Sequence, residues 1–332
     1  MNILLTGGAG YIGSHTSVVL SQAGHKVVLF DNFCNSKKDV LDRLQKILGS
    51  ALQFVKGDIR DSALVAKILQ EYKIGAVIHL AGLKAVGEST GKPIEYYSNN
   101  VQGSISLIKA MKSTNIKNLV FSSSATVYGK PSYLPIDENH PTSPTNPYGR
   151  SKIHTEEMFK DISNSDAGWK IICLRYFNPV GAHSSGLIGE DPNGIPNNLM
   201  PYISQVAAGK LSQLNIYGSD YPTKDGTGVR DYIHVMDLAE GHLAALTYLE
   251  RSVGFEVFNL GTGNGFSVLE VLRAFEVASQ TIVDYKITER RMGDVDSSYG
   301  QVDKALSKMH WEATRSLADM CESAWKFNQK YR

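Results

Sequence analysis

The sequence predicts an α/β protein, a doubly wound parallel sheet followed by a smaller, mixed α/β part. Three observations carry that prediction. Short β-branched runs alternate with amphipathic stretches through the first half of the chain, the pattern of parallel strands joined by crossover helices. The early stretch TGGAGYIGSH spaces Gly7, Gly10 and Gly13 three residues apart, directly after the apolar run Ile3-Leu4-Leu5. The second apolar run, KVVLF, ends on an acid, Asp31. A strand, a glycine turn, a helix and a second strand closed by an acid make a Rossmann-type unit.

In chain order, strands are predicted at 3–5, 27–30, 54–55, 76–79, 119–121 and 171–174, with helices near 12–23, 61–72, 94–114 and 147–163 between them. Runs that stay apolar throughout, such as AVIHLAG, fit strands buried on both faces. After Leu174 the texture changes: residues 178–230 are rich in Gly, Pro and Asn and weakly periodic, which reads as functional loop. HVMDLAEGHLAALTYLE then returns to a helical period and FEVFNLG reads as a strand. The expected division is a nucleotide-binding domain at 1–177 and a substrate domain at 178–332, with part of about 230–262 returning to the first. The length of 332 residues allows about two domains.

Composition excludes several classes. Thirty-four Lys plus Arg balance 33 Asp plus Glu, a net charge of +1, so neither a nucleic-acid nor a membrane footprint is expected. No apolar run reaches the roughly 20 residues of a bilayer span. The chain enters a strand and a glycine turn at once, which leaves no room for a signal peptide. Cys34, Cys173 and Cys321 are scattered without a C-x-x-C spacing; a reduced, cytoplasmic setting and no metal site are expected.

A helix N-terminus carries unpaired N–H groups and partial positive charge, so the glycine turn suits a pyrophosphate. Gly7 serves the tight turn, Gly10 the close approach of phosphate, and Gly13 the packing of helix on strand. Asp31, 18 residues after Gly13, would accept from ribose hydroxyls and repel a 2′-phosphate. This favours NAD over NADP, although Lys37 and Lys38 lie near. A second constellation is PYGRSK, where Tyr148 and Lys152 stand four apart on one helix face. A free phenol has a pKa of about 10. An ammonium at about 4 Å is worth about 4 kcal/mol at a dielectric near 20, enough to lower it by up to about three units. Ser124, in FSSSATVYG after the strand LVF, stands where α/β sheets place their ligands.

The G-x-x-G-x-x-G spacing with the Tyr–Lys pair resembles the short-chain dehydrogenase/reductase superfamily. The resemblance then narrows. TGGAGYIGSH, DNFCNS, GDIRD, HLAGLKAVGES, SSSATVYG, PYGRSK, RYFNPVGAH, GEDPNGIPNNLMPY and DGTGVRDYIHVMDLA are similar to the motifs of the UDP-glucose 4-epimerase family. They run from residue 6 to about 240, with a weaker continuation through ERRMGD.

That resemblance implies the site. Ser124, Tyr148 and Lys152 would be catalytic. Gly7, Gly10, Tyr11, Ile12, Gly13, Asp31, Asn32, Asn35, Ser36, Leu80, Ala81, Gly82, Lys84 and Phe177 would hold NAD. Asp58 and Ile59 would flank the adenine, and Asn99 would support the site from the helix between. Arg230 and Arg291 would take the UDP diphosphate, Asn178 and Asn198 the phosphate or sugar end, and Asp294 the uridine ribose; Leu199, Asn215 and Tyr217, with Lys84, Ser124 and Tyr148 touching substrate as well, complete the substrate side. It also implies a reaction. Tyr148, through or beside Ser124, takes the proton of the sugar 4-hydroxyl while C4 gives hydride to NAD. The 4-keto sugar turns with UDP anchored, and hydride returns to the other face. NAD would then stay bound between turnovers, and helices 94–114 and 147–163 would pair in a homodimer.

Two other readings stand beside this one. A nucleotide-sugar 4,6-dehydratase shares the fold and the Tyr–Lys pair, but needs an acid and a base after its Ser or Thr; here Ala125 and Thr126 follow Ser124. An idle NAD-binding regulator would be expected to have lost a catalytic residue. For sugar preference, the resemblance points to the position seven residues beyond the ERR arginine, Ser298. A bulky Tyr there accompanies strict glucose/galactose enzymes, and a small residue accompanies N-acetylated sugars. Ser298 therefore points to both sugar classes, with Tyr299 adjacent as the other register.

Overall fold

The computed structural model describes residues 1–330 except 193 and 292. The first half contributes strands β1 (Asn2–Thr6), β2 (Lys26–Asp31), β3 (Gln53–Lys56), β4 (Ala76–His79), β5 (Asn118–Ser124) and β6 (Lys170–Tyr176). The second contributes β7 (Asn178–Val180), β8 (Leu214–Tyr217), β9 (Val229–His234), β10 (Gly254–Leu260), β11 (Gly265–Ser267), β12 (Tyr285–Thr288) and β13 (Ser297–Ser298). Helices of the first half are α1 (Tyr11–Gln22), α2 (Val40–Leu48), α3 (Ser62–Glu71), α4 (Val86–Gly91), α5 (Pro93–Tyr96), α6 (Gly103–Ser113) and α7 (Pro147–Ser165), with a π-helix, Tyr97–Gln102, joining α5 to α6. Those of the second are α8 (Leu199–Ala207), α9 (Val235–Leu249), α10 (Val268–Ser279), α11 (Asp303–Met309) and α12 (Leu317–Lys330).

The main sheet has seven strands in the order β10-β6-β5-β4-β1-β2-β3, every pair parallel. The order reverses between β1 and β4, which opens a crevice at the carboxyl ends of these strands. Alternation along β1 shows why the strand is apolar throughout. Ile3 and Leu5 join one cluster with Leu29, Ile78 and Leu174. Leu4 joins the other, with Val28, Val77, Phe121 and Phe159. Burying one such side chain is worth about 1.5–3 kcal/mol, so both faces hold the sheet.

The second body is built on β9, which pairs with β11, β13 and β7. A parallel pair of β8 and β12 lies beside it. Helices α8, α10 and α12 close a third cluster around Met200, Ile216, Phe275 and Trp325. The chain crosses back in between: β10 extends the main sheet beside β6, and α9 packs on α1. The return therefore comprises 235–260 together with α11, while residues 229–234 stay in the smaller sheet.

The helix predicted at 94–114 is one continuous run through α5, the π-helix and α6. Helix α2 stands where no element is predicted. It buries Val40 and Leu44 on one face and stops at Gly49, whose φ of 72° is left-handed. The stretch 178–230 is less irregular than predicted, since it contains α8, β8 and the start of β9. LMPYISQVA hides its helix because its proline sits in the first turn, where a missing N–H costs nothing. No helix among the described residues is long and apolar enough to cross a membrane.

Candidate active site

The glycine turn lies at the switch point. Gly7, at φ 70°, hangs from β2 by an N–H to the Phe30 carbonyl at 2.8 Å. A methyl group on Gly7 would come within 2.8 Å of the Ala81 nitrogen, and one on Gly13 within 2.3 Å of the Gly7 carbonyl. These two glycines thus let the turn close against β4 and α1, while Gly10 meets only the Gly7 carbonyl at 3.2 Å. Helix α1 starts without a side-chain cap, so its first N–H groups point at the crevice from the positive end of the helix.

Asp31 ends β2 beside this turn. Its carboxylate accepts from Ala9 N–H at 3.1 Å, Phe33 N–H at 2.8 Å and the Ser36 hydroxyl at 3.1 Å. Asn32 reaches Asp58 at 3.4 Å, and the Arg60 guanidinium on Asp58 holds that carboxyl down at about 2. Ile59 is buried against α6 at Gly103, and Asn35 stands exposed on the turn after β2. Leu80, Ala81 and Gly82 continue β4 into the crevice, and Leu80 N–H bonds the Thr6 carbonyl.

Ser124, Tyr148 and Lys152 meet at the carboxyl end of β5. Helix α7 is set there by its first residues: Asn146 caps the Gly149 N–H at 2.9 Å, and Pro147 opens the first turn. All three catalytic candidates are buried. Burial pushes the Tyr148 phenol above its ordinary 10, with a Ser124 hydrogen bond working the other way. The lysine effect predicted from spacing is not the one that dominates. The ammonium lies 5.9 Å from the Tyr148 ring centre and donates to the Ser122 carbonyl at 2.7 Å. Its charge is spent on β5 and on the Phe121 face 4.8 Å away, so desolvation of the phenol wins. Burial also lowers Lys152 to about 8. Ser124 Oγ accepts from the Thr126 hydroxyl at 2.9 Å, leaving its own proton for the phenol.

Two residues that the sequence reading passes over organise this corner. Asn100, in the π-helix, accepts from Leu83 N–H at 2.8 Å and donates to the Leu83 carbonyl and the Ser151 hydroxyl. Its neighbour Asn99 is half-buried beside it. Spacing held the signal: Asn100 follows buried Tyr96 by four and precedes buried Leu107 by seven, one helix face. Glu156 pairs with Arg175 and accepts from the Ser123 hydroxyl, all buried, which fixes α7 to β5 and β6.

The second body supplies a cationic cluster. Asp294 bonds Arg291 Nε at 2.9 Å and lies 3.9 Å from Arg230. The Arg291 guanidinium sits 4.7 Å over the Tyr217 ring. Asn215, on the strand that carries Tyr217, holds a buried Oδ1 with no partner among the described residues. Ser298 is registered against Arg230 in β13 and is half-buried. Tyr299 turns its carbonyl to Ile136 N–H at 2.9 Å. Phe177 is buried under Gly261 and Gly300, and Asn178 is exposed at the start of β7. Asn198 and Leu199 open α8.

Contacts join the two bodies at the mouth of the crevice. The Tyr11 hydroxyl donates to the Gly181 carbonyl at 2.7 Å. Lys84 donates to Glu190 at 2.9 Å, and so does Asn198 at 2.6 Å. Glu190 is a third residue the sequence reading does not single out. No cluster of three or more His, Cys, Asp or Glu able to hold a metal occurs among the described residues.

The chain is similar to known proteins over nearly its whole length. Residues 3–261 match the NAD dependent epimerase/dehydratase family. The chain is 55% identical over 331 residues to the UDP-glucose 4-epimerase of Pasteurella multocida (strain Pm70), covering 99% of this chain and 98% of that protein. Against the UDP-glucose 4-epimerase of Bacillus subtilis (strain 168) it is 53% identical over 98% of this chain and 96% of that one. The crystal structure of UDP-glucose-4-epimerase from Stenotrophomonas maltophila, with bound NAD and formylated UDP-arabinopyranose, superposes with a TM-score of 0.98 at 49% identity, covering 100% of this chain and 98% of that one.

Proposed function

The chain belongs to the NAD dependent epimerase/dehydratase family and, at 53–55% identity over nearly its whole length, to the UDP-glucose 4-epimerases within it, and from that membership we propose that it interconverts UDP-hexoses at C4 through a transient 4-keto sugar. The observation that carries the reading is the Ser124–Tyr148–Lys152 corner at the end of β5, in a chain whose second body gathers two arginines around Asp294.

The residues present fit NAD. The uncapped start of α1 and the turn that Gly7 and Gly13 keep free of side chains suit a pyrophosphate. Asp31 ends β2 as a ribose acceptor, and Asp58 with Ile59 borders the adenine end. Bound there, NAD supplies a reversible hydride acceptor for C4. The positive charge that oxidised NAD would bring offsets the burial that raises the Tyr148 phenol, so that Tyr148, ionised, would take the 4-hydroxyl proton and return it. Ser124, fed by the Thr126 hydroxyl, holds the phenol and the reacting oxygen together. Lys152 keeps a positive charge at the base of the corner, anchored on the Ser122 carbonyl. Arg230 and Arg291 fork the diphosphate, and Asn215 with its open acceptor meets the base. With UDP anchored, the keto sugar turns and presents its other face. Ala125 and Thr126 supply neither an acid nor a base, so elimination of water has no residue to drive it.

The sugar pocket takes both plain and N-acetylated hexoses. Support comes from Ser298, a small side chain beside Arg230 in register. The division of labour follows the fold: 1–177 with 235–260 hold the cofactor, and the remaining second half holds the UDP-sugar. The enzyme works as a cytoplasmic homodimer on this reading. Exposed Ile94 and the outward Tyr97–His154 stack offer a helical face to a partner, and all three cysteines are free thiols. The test is to incubate the purified protein, without added NAD, with UDP-galactose and separately with UDP-GalNAc. Both sugars are expected to convert, and Ser298→Tyr to remove only the second activity. Conversion of UDP-galactose alone by the unmodified protein would sink the wide-pocket assignment. Conversion of neither sugar, even with NAD supplied, would sink the epimerase reading.

A further inference from the structure

We propose that Glu190 couples the two binding sites, as a positioning residue through which Lys84 on the cofactor side and Asn198 on the UDP-sugar side order each other. The inference rests on the proposed function for the roles of those two partners. A single oxygen does the joining: Glu190 Oε1 accepts from Lys84 Nζ at 2.9 Å and from Asn198 Nδ2 at 2.6 Å. Lys84 lies in the segment between β4 and α4, Asn198 at the start of α8, and Glu190 in the segment between β7 and α8. Three stretches from two bodies thus converge on one carboxylate.

The base under Glu190 is firm. A bridge pairs Ala182 with Gly189, and the His183 N–H bonds the Ile188 carbonyl at 3.1 Å. Helix α12 pins the same turn, with Lys326 donating to the Ser184 carbonyl and Lys330 to the Ser185 carbonyl. Asn198 shows what the contact changes. It occupies the N-cap position of α8 yet makes no cap bond, although asparagine there ordinarily accepts from its own helix. Its amide is held by Glu190 instead, which leaves its carbonyl oxygen for a ligand. A carboxylate only accepts, so both partners must donate and their orientation is set. The Glu190 side chain is 8% exposed against 44% for Lys84, which keeps this pair less screened than a surface one. Among the described residues its other oxygen, Oε2, is buried and lacks a partner, so there the carboxylate is fixed through Oε1. A neighbouring ion pair, Lys37–Asp191, has both members well exposed and serves as the control.

Any ligand that fixes Lys84 thereby steadies Asn198, and the reverse must hold to the same degree. Cross-effects are the signature. Lys84→Ala, on the cofactor side, is expected to weaken UDP binding to the holoenzyme by about fivefold or more, read by calorimetry. Asn198→Ala, on the substrate side, is expected to speed the loss of NAD during gel filtration. Glu190→Gln should cause both losses, and adding either other substitution to it should then produce no further cross-effect. Asp191→Asn should cause neither. The proposal is overturned if the Lys84 and Asn198 variants act each on its own ligand only, or if their cross-effects persist in the Glu190→Gln background. The first result does not depend on how well the Glu190 variant folds. All of these are binding measurements, so a wild-type protein that fails to convert UDP-galactose would overturn the epimerase reading and leave this one to be judged on its own.

Discussion

Around Tyr148 the reacting groups are buried and held across the seam between β5 and α7, whereas around Arg291 the charges are half exposed and hold one another. Ser124, Tyr148 and Lys152 are each no more than 8% exposed. Arg291 is 53% exposed, and its ordering comes from Asp294 and the Tyr217 ring. The first region works at low effective dielectric, where one proton or charge is worth several-fold more than in water. The second works in screened solvent, where charges confer affinity and orientation but little rate. On the proposed function, chemistry is therefore placed where water is excluded, and recognition where a large anionic substrate can enter.

The sharpest way to break that contrast is Tyr148→Phe. Removing one oxygen from the buried corner should cut kcat by about 10²–10⁴, with the melting temperature and the amount of co-purifying NAD little changed. A variant that keeps conversion within about tenfold of wild type would mean that the proton passes elsewhere, and Ser124 would then be the group to remove.

The same burial makes the sheet region sensitive to acid. His79 lies between the Thr6 hydroxyl at 2.7 Å and the Ser104 hydroxyl at 3.1 Å. Burial, and then the Lys152 charge, lower it to about 3. Burial brings His15 to about 3 as well, and His234 and His242 to about 4. Between the ordinary 6.5 and these values the unfolded chain binds more protons than the folded one, so stability is present above 6.5 and lost as pH falls. Each such histidine contributes a slope of about 1.4 kcal/mol per pH unit in that window. Urea titrations at pH 7 and pH 4.5 should show the loss, and His79→Asn should reduce the difference between them. Equal midpoints at both pH values would overturn this account.

Much of this was readable from residues alone, for a physical reason. Glycines at a turn and an acid at a strand end have few substitutes, because Gly13 has no room for a methyl and Asp31 must accept. A buried strand such as β4 announces itself by composition, and PYGRSK by its spacing on α7. What stayed hidden depends on distance in space. Glu190 meets Lys84 across 106 positions of sequence, and the motif that contains it, GEDPNGIPNNLMPY, does not say which residues it meets. The balance at Tyr148 is hidden too: spacing put Lys152 on the right face, but only packing shows its ammonium committed to the Ser122 carbonyl. Helix α2, nine residues long, escaped although Val40, Leu41, Leu44, Ile47 and Leu48 all pack on the core; so short a run gives only about two turns of period to read.

The smallest expected effect sharpens the comparison from the exposed side. Arg291→Ala removes one fork of the pair around Asp294 while Arg230, 20% exposed, remains. The loss should appear as a roughly tenfold rise in KM for UDP-galactose, about 1.4 kcal/mol, with kcat close to wild type, because the arginine holds ground state and transition state alike. Salt gives the second readout. At about 1 M ionic strength the screening length shrinks to about 3 Å, so the wild-type KM should climb towards that of the variant and the gap narrow. The Tyr148→Phe deficit, set inside a desolvated corner, should keep its size at the same salt. If Arg291→Ala instead lowers kcat and leaves KM alone, the half-exposed cluster takes part in the chemical step, and the division between a buried corner for reaction and a screened one for binding falls.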